Sequence, residues 1–325
     1  MSPFATRSAD SVSSLGEEKL IAAIRRWLGS ASPRAPFGIG DDCAVLPPGR
    51  GRQLITVDPV IFGRHFDASI PPRAIGAKLL KRNLSDLAAM GGRPTAAVLA
   101  LTLDARTRLA WLEQFYRGLA ACARHYRVPI VGGDVAQADH VVAASLTLLG
   151  ETTGKRVLTR TGARNGDALY VTGRLGGSIR SGHHFKFHPR LAEGAWLAAT
   201  PAVRAMMDVS DGLAKDLHAL TPRGTQPVID PHLLPLRAGS DLRAGLTDGE
   251  DYELVFAVAA HADHAAFMRA WRKKFPRTLL SPIGRFARKL PRGAIDLSDY
   301  RGYEHLKSNS SGSRKSTRRS AQTSP

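Results

Sequence analysis

The stretch GAKLLKRNLSDLAAMG, residues 76–91, decides how the rest of the chain is read. At 100° per residue Leu79, Leu80, Leu87 and Met90 share one sector of a helix, the stripe of an element packed on a core. Two residues interrupt it: Asn83 projects between Met90 and Leu87, and Asp86 sits at its edge beside Leu79. A carboxylate drawn into such a position loses hydration worth roughly several kcal/mol unless a cation or hydrogen-bond donors replace the water. Either Asp86 has such a partner, or the helix is rotated or frayed enough to leave both side chains wet.

Upstream, residues 54–58 (LITVD) read as a strand that closes on an acid, with Pro59 marking its end. Before it comes PFGIGDDCAVLP, residues 36–47, where glycines precede the paired Asp41 and Asp42 and turn the backbone so as to aim carboxylates; a strand is expected at 43–46. Residues 16–29 form an amphipathic helix with Leu20, Ile21, Ile24 and Leu28 on one side. Downstream the pattern predicts a strand at 95–103, a helix at 108–127, a strand at 128–131 running into Gly132-Gly133-Asp134, and a strand at 141–150. That order describes an α+β layer with helices on one face of a sheet.

A Gly-, Thr- and Arg-rich stretch at 151–166 marks a boundary. Beyond it the pattern predicts strands at 167–172, near 206–209, at 226–229, within 249–258 and at 280–286. Helices are expected at 189–199, at 262–275 and after DVSD, the last capped by Ser210. The organisation is a flexible leader (1–15), an N-terminal unit (16–150), a C-terminal unit (151–306) and a disordered basic tail (307–325).

With 325 residues the chain has room for two cores of ordinary size. Apolar and charged fractions of 43% and 23% are those of a globular protein, and 6% aromatics offer little stacking surface for single-stranded nucleic acid. The net charge of +18 would suit a phosphate-bearing partner, yet the Arg residues are scattered rather than gathered on one face. Only Cys43 and Cys122 are present, which fits a reducing cytoplasm. No apolar run is long enough to span a membrane.

Acids are outnumbered 46 to 28, yet they collect at the ends of predicted elements: Asp41 and Asp42, Asp58, Asp86, Asp134, Asp208 and Asp211, Glu250 and Asp251. Any one could be a turn former or a cap. Together, converging from several loops, they would repel one another unless hard cations lay between them, and Mg²⁺ takes one or two carboxylates plus phosphate oxygens. Metal-assisted phosphoryl transfer is the chemistry this implies. No P-loop or Rossmann signature occurs, so nucleotide phosphates would be held through metals, Gly-rich backbone amides and a cation such as Arg160 or Lys78.

In order along residues 15–306, GIGDDCAVL, TVD followed by GRHF, NLSDLAAMG, GGD, LTRTGA, GDALYVTG, DVSDGLAKDL, GEDYELVF, PIGR and YRGYEHL resemble the thiamine-monophosphate kinase family. The resemblance implies a two-domain aminoimidazole ribonucleotide synthetase-like fold: a ferredoxin-like, dimer-forming α+β N-terminal domain and an α/β C-terminal domain. It implies Mg²⁺ ligation by Asp41, Thr56, Asp58, Asp86, Asp134, Asp208 and Asp211. ATP would meet Gly133, Asp134, Arg160 and Ser210, and thiamine monophosphate would meet His65, Glu250 and Tyr303. The implied protein is a cytoplasmic homodimer, and its acceptor, a phosphate monoester that is mostly a dianion at neutral pH, would need no general base.

Selenophosphate synthetase and the hydrogenase-maturation dehydratase share the fold, but their reactive cysteines are not matched here. An enzyme of this superfamily acting on another acceptor, or a basic nucleic-acid-binding protein on the scaffold, is the alternative. Val57 stands where the family usually has a hydroxyl residue, and Asp248 where it has Gly. The segment 178–200 is short for the family and carries GHHFKFHP, whose His183, His184 and His188 could ligate a metal or simply be packed or solvated. It bears on the choice of acceptor.

Overall fold

The computed structural model describes residues 1–34, 37–39 and 44–303. Asp41, Asp42, Cys43 and the basic tail lie outside the described residues. Helix α1 (Glu17–Leu28) is followed by β1 (Gln53–Ile61), α2 (Pro72–Ala89), β2 (Gly92–Leu103), α3 (Leu109–Tyr126), β3 (Ile130–Gln137) and β4 (Val142–Thr152). These strands make one four-stranded sheet of order β1-β4-β2-β3, with β2 and β3 parallel and the other pairs antiparallel. The element order is βαβαββ, so the sheet departs in detail from the βαββαβ of a ferredoxin-like unit while keeping its helices on one face.

The second half contains β5 (Ala168–Thr172), α4 (His183–Lys186), α5 (Leu191–Ala199), β6 (Val203–Val209), α6 (Leu213–Leu220), β7 (Gln226–Ile229), α7 (Leu242–Thr247), β8 (Glu253–Val258), α8 (His264–Lys274) and β9 (Leu280–Ala287). Its sheet runs β6-β8-β5-β9-β7, every pair antiparallel. An antiparallel sheet with helices against it makes this half α+β as well. Among the described residues no helix is long and apolar enough to cross a membrane.

Helix α2 is the common wall. Leu79, Leu80, Leu84 and Leu87 belong to the core of the first sheet, whereas Ala88 and Ala89 pack with Leu197, Met206 and Leu254 of the second half. A helix covered on both sides need not show one clean apolar stripe, which explains its mixed pattern. Its crossing with α3 is close: a Cβ on Gly118 would lie 2.0 Å from Arg73 O, and one on Gly76 2.1 Å from Phe115 O.

Several local expectations change. Residues 44–46 are not in a strand. Strand β1 does not stop at Pro59 but continues to Ile61, because it is a sheet edge where the missing N–H breaks no ladder bond. Ser210 does not cap α6: Gly212 occupies the N-cap, and the Asp216 carboxylate accepts from the N–H groups of Ser210 (3.0 Å) and Asp211 (3.1 Å). The leader residues pack on the first half, with Phe4 bridging to Thr107, Ser11 to Arg108, and Phe4 edge-on to Phe62.

Candidate active site

Along β1 the even positions 54–60 turn toward α2 and the odd ones face the open side of the sheet, the period-two consequence of a pleated strand. Thr56 and Asp58 therefore share the α2 side. Val57 points the other way and is 60% exposed, so its lack of a hydroxyl deprives this cluster of nothing.

On α2, Lys78, Arg82 and Asp86 follow one another at four-residue spacing and form a polar row down the helix. Each meets an acid or a hydroxyl from another element. Thr56 Oγ1 donates to Asp86 Oδ2 at 2.5 Å. Arg82 donates to Asp58 Oδ1 at 3.2 Å and to Pro59 O at 2.6 Å. Lys78 Nζ donates to the Glu250 carboxylate at 2.8 Å. One residue before Asp86, Ser85 Oγ donates to Asp208 Oδ2 at 2.7 Å, fastening the end of β6 to the helix.

Asn83, fully buried, donates to Leu79 O at 2.9 Å, and its Oδ1 has no partner among the described residues. Of the two possibilities the α2 pattern leaves open, the structure takes the first: both polar residues are drawn in, and Asp86 has a partner.

The acids of this cluster are held far from their ordinary behaviour. Burial first, and then the charge of Asp208, push Asp86 up to about 7. Burial likewise takes Asp208 to about 7, against the hydrogen bond from Ser85. Asp58 rises to about 6 through burial, opposed by Arg82 and reinforced by Asp86, Asp211 and Glu250. Carboxylates that feel one another in this way, in a cleft, mark a functional-site candidate.

Glu250 goes the other way. Burial would raise it, but the hydrogen bond with His184, the charge and hydrogen bond of Lys78, and the charge of Arg82 outweigh that and hold it at about 2.

A turn after β6 and a loop before β8 complete the cluster. Glu250 N donates to Ser210 O (2.8 Å) and Tyr252 N to Val209 O (2.8 Å). Glu250 and Tyr252 are both held at positive φ, 63° and 52°, an uncommon conformation for such residues. Asp211 pairs with Lys215 at 2.5 Å, and Tyr303 N donates to Asp211 O at 2.9 Å, which brings Tyr303 to the same turn. His65 lies across α2, its Nδ1 accepting from Ile61 N and its carbonyl accepting from Lys78, both at 3.1 Å. A cleft of about 600 Å³ opens beside these groups, lined by Thr56, Asp86, Asp208 and the exposed Arg160 among others.

Thus Thr56, Asp58, Asp86, Asp208, Asp211, Arg160, Ser210, His65, Glu250 and Tyr303 stand around one region. Gly133 and Asp134 do not. Strand β3 is the far edge of the first sheet: Asp134 pairs with Ala100, Ala100 with Ser145 and Ser145 with Pro59. Three strand spacings, about 14 Å, separate Asp134 from the Asp58 edge. It lines a separate cleft of about 490 Å³ beneath α1.

Lys78 does not serve as a phosphate cation either, being 1% exposed and committed to Glu250. The sequence pattern does not single out Arg82 and Ser85. Their signal is the four-residue polar row, discernible only once a second layer is known to cover that face of α2.

This architecture is that of the AIR synthase related proteins. A family model described as "AIR synthase related protein, N-terminal domain" matches residues 40–152. The hydrogenase maturation protein HypE, solved in complex with ATP, shares the fold at 19% identity, with a TM-score of 0.65 over 83% of this chain and 85% of its own. The relatives are narrower.

Thiamine-monophosphate kinase of Rhodopirellula baltica is 37% identical over 247 residues, 70% of this chain and 77% of that protein. That of Synechococcus elongatus is 35% identical over 281 residues, 77% and 84%. The crystal structure of the Stenotrophomonas maltophilia enzyme superposes with a TM-score of 0.70 at 30% identity, covering 82% of this chain and 94% of that one. AaThiL complexed with AMPPCP and TMP covers 93% and 100% at 27% identity, TM-score 0.66. The chain belongs to the thiamine-monophosphate kinase family.

Proposed function

We propose that this chain transfers the γ-phosphoryl group of ATP to thiamine monophosphate, giving thiamine diphosphate and ADP. The observation that carries the reading is the gathering of Asp58, Asp86, Asp208 and Asp211 around α2 next to an ionised Glu250. Support comes from the names of the relatives and from the solved complex of a family member with an ATP analogue and TMP.

The donor set fits Mg²⁺. Buried carboxylates that sit near 6 to 7 only because burial and repulsion penalise their charge would trade protons for a hard cation. Among the described residues no three His, Cys, Asp or Glu side chains converge closely enough to hold an ion by themselves. Ligation would accordingly draw on one or two carboxylates at a time, from Asp58, Asp86, Asp208 and Asp211, with the Thr56 hydroxyl, Asp41 and substrate phosphates completing the shells. What Mg²⁺ supplies when bound is neutralisation of two polyanions that otherwise repel.

The chain's own residues do the rest. The acceptor is a phosphate monoester with a second pKa of about 6, a dianion at neutral pH, and needs no general base. Its phosphate oxygen attacks Pγ while the bond from Pγ to the bridging oxygen breaks, and ADP leaves with that electron pair. Arg160, exposed at the cleft beside Asp86 and Asp208, meets the nucleotide phosphates. Glu250, kept ionised by Lys78 and His184, faces the cationic thiamine ring system, with His65 and Tyr303 around it.

Asp134 would reach a nucleotide only across a homodimer. The open face of the first sheet, with Ile55 73% and Val57 60% exposed, supplies an apolar surface for such an interface. Incubation of the purified protein with Mg²⁺, ATP and thiamine monophosphate should yield thiamine diphosphate and ADP in equal amounts; no thiamine diphosphate would refute the reading.

A further inference from the structure

The segment between β5 and α5 grips the loop that carries Glu250 at four points. Ser178 Oγ, fully buried, donates to Glu250 O at 2.6 Å. His183 Nε2 lies 3.1 Å from Asp251 O. His184 Nδ1 lies 3.1 Å from both Lys78 Nζ and Glu250 Oε2. Phe187 stacks on Tyr252 with ring centroids 4.1 Å apart and planes 18° from parallel. The loop so gripped holds two non-glycine residues at positive φ, a conformation that persists only when its surroundings over-determine it.

Within that grip His184 has a particular position. A buried ammonium has three protons to place, and Lys78 has three polar groups within reach: His65 O at 3.1 Å, the Glu250 carboxylate at 2.8 Å and His184 Nδ1 at 3.1 Å. Nδ1 stands between the ammonium and the carboxylate: bare, it accepts from Lys78, and protonated, it donates to Glu250 Oε2, so either tautomer ties the Lys78–Glu250 pair to α4. His184 thereby fixes the ammonium that fixes both His65 and Glu250, residues from opposite halves of the chain.

We propose that His184 is a positioning residue for the acceptor, and that the 178–188 segment sets acceptor specificity by clamping Glu250 in place. The proposal rests on the kinase reading and deepens it: the ligand served is a phosphate ester carrying a cationic ring, the partner that an ionised carboxylate selects. His184 does not touch the transferring phosphoryl group, so its removal weakens acceptor binding and leaves ATP binding alone.

Two variants test this in the full-length protein. H184N keeps a hydrogen-bonding atom where Nδ1 stands, because the Asn amide oxygen and nitrogen both lie the same number of bonds from Cβ and either can face the Lys78–Glu250 pair. H184F keeps the ring against Phe185 but offers neither an acceptor to Lys78 nor a donor to Glu250. The expected result is a KM for thiamine monophosphate raised tenfold or more in H184F and within threefold of wild type in H184N, with the KM for ATP within twofold in both.

An unchanged acceptor KM in H184F overturns the proposal. So does equal impairment of the two variants with both KM values shifted and the melting temperature lowered, since that is a purely structural role. Wild-type protein that forms no thiamine diphosphate removes the kinase reading itself and this proposal with it, whereas turnover with an indifferent H184F removes only the clamp.

Discussion

Burial and the charge of Asp208 raise Asp86 to about 7, while the Thr56 hydroxyl donates to its carboxylate. Asn is nearly isosteric, accepts the same hydrogen bond and carries no charge. Asp86→Asn should therefore leave the fold intact and lower turnover by at least about a hundredfold, the order reached when a single preorganised electrostatic group is removed. Steady-state kinetics with circular dichroism checks both halves, and near-normal turnover would take Asp86 out of the site.

Asp86 is legible in the sequence because a carboxylate at the edge of an apolar stripe is conspicuous. Arg82 is not, since an arginine off that stripe looks like an ordinary solvated cation. The structure shows it half-buried and paired with Asp58. Arg82→Met leaves Asp58 without its cation and Pro59 O without its donor, at a cost of about 3 kcal/mol by analogy with broken buried pairs. Denaturant unfolding measures that loss, and a change under about 0.5 kcal/mol would contradict the pairing.

Among the elements, α2 carries the site because it touches both halves. Its close crossing with α3 depends on glycine. A methyl at Gly118 would meet Arg73 O at 2.0 Å, backbone against backbone, with no flexible side chain to yield. Gly118→Ala should cost about 1–3 kcal/mol and lower the melting temperature by several degrees, read by differential scanning calorimetry.

Most strands and helices are legible from period and punctuation. What is not legible depends on neighbours: whether Pro59 ends a strand depends on its being a sheet edge, and whether Ser210 caps α6 depends on Asp216 taking the same backbone donors. The role of the 178–188 segment is likewise hidden, because its histidines and Phe187 meet residues more than sixty positions away.

For the whole molecule, the raised carboxylates predict how stability responds to pH. Asp58 at about 6 and Asp86, Asp208 and Asp216 at about 7 lie above the ordinary value of 3.8, so the folded protein holds protons that the unfolded chain releases. Their contribution is full below about pH 4 and is lost as pH rises toward 7; for an isolated group, each tenfold gain in proton affinity on folding is worth about 1.4 kcal/mol. Glu250, held at about 2, acts only in acid and does not oppose this. In EDTA the melting temperature should fall by more than about 5 °C between pH 5.5 and 8, and Mg²⁺ at pH 8 should restore it. A flat profile indifferent to Mg²⁺ would contradict the cluster.

The separation of Asp134 from the other acids leads to a prediction about assembly. If two copies complete each other's sites, mixing Asp134→Asn with Asp86→Asn protein should recover up to about a quarter of wild-type activity, because a mixed dimer assembles one intact site. No recovery on subunit exchange would confine the site to one chain.

Buried acids collected around α2, on this view, carry a metal-dependent phosphoryl transfer to a thiamine ester. The decisive experiment follows γ-phosphate-labelled ATP through one turnover with thiamine monophosphate, comparing wild type with Asp86→Asn in Mg²⁺ and in EDTA. Label should pass into thiamine diphosphate with wild type in Mg²⁺, and be nearly absent in the other three conditions. Label found only in inorganic phosphate, or transfer undiminished by Asp86→Asn or by EDTA, would contradict it.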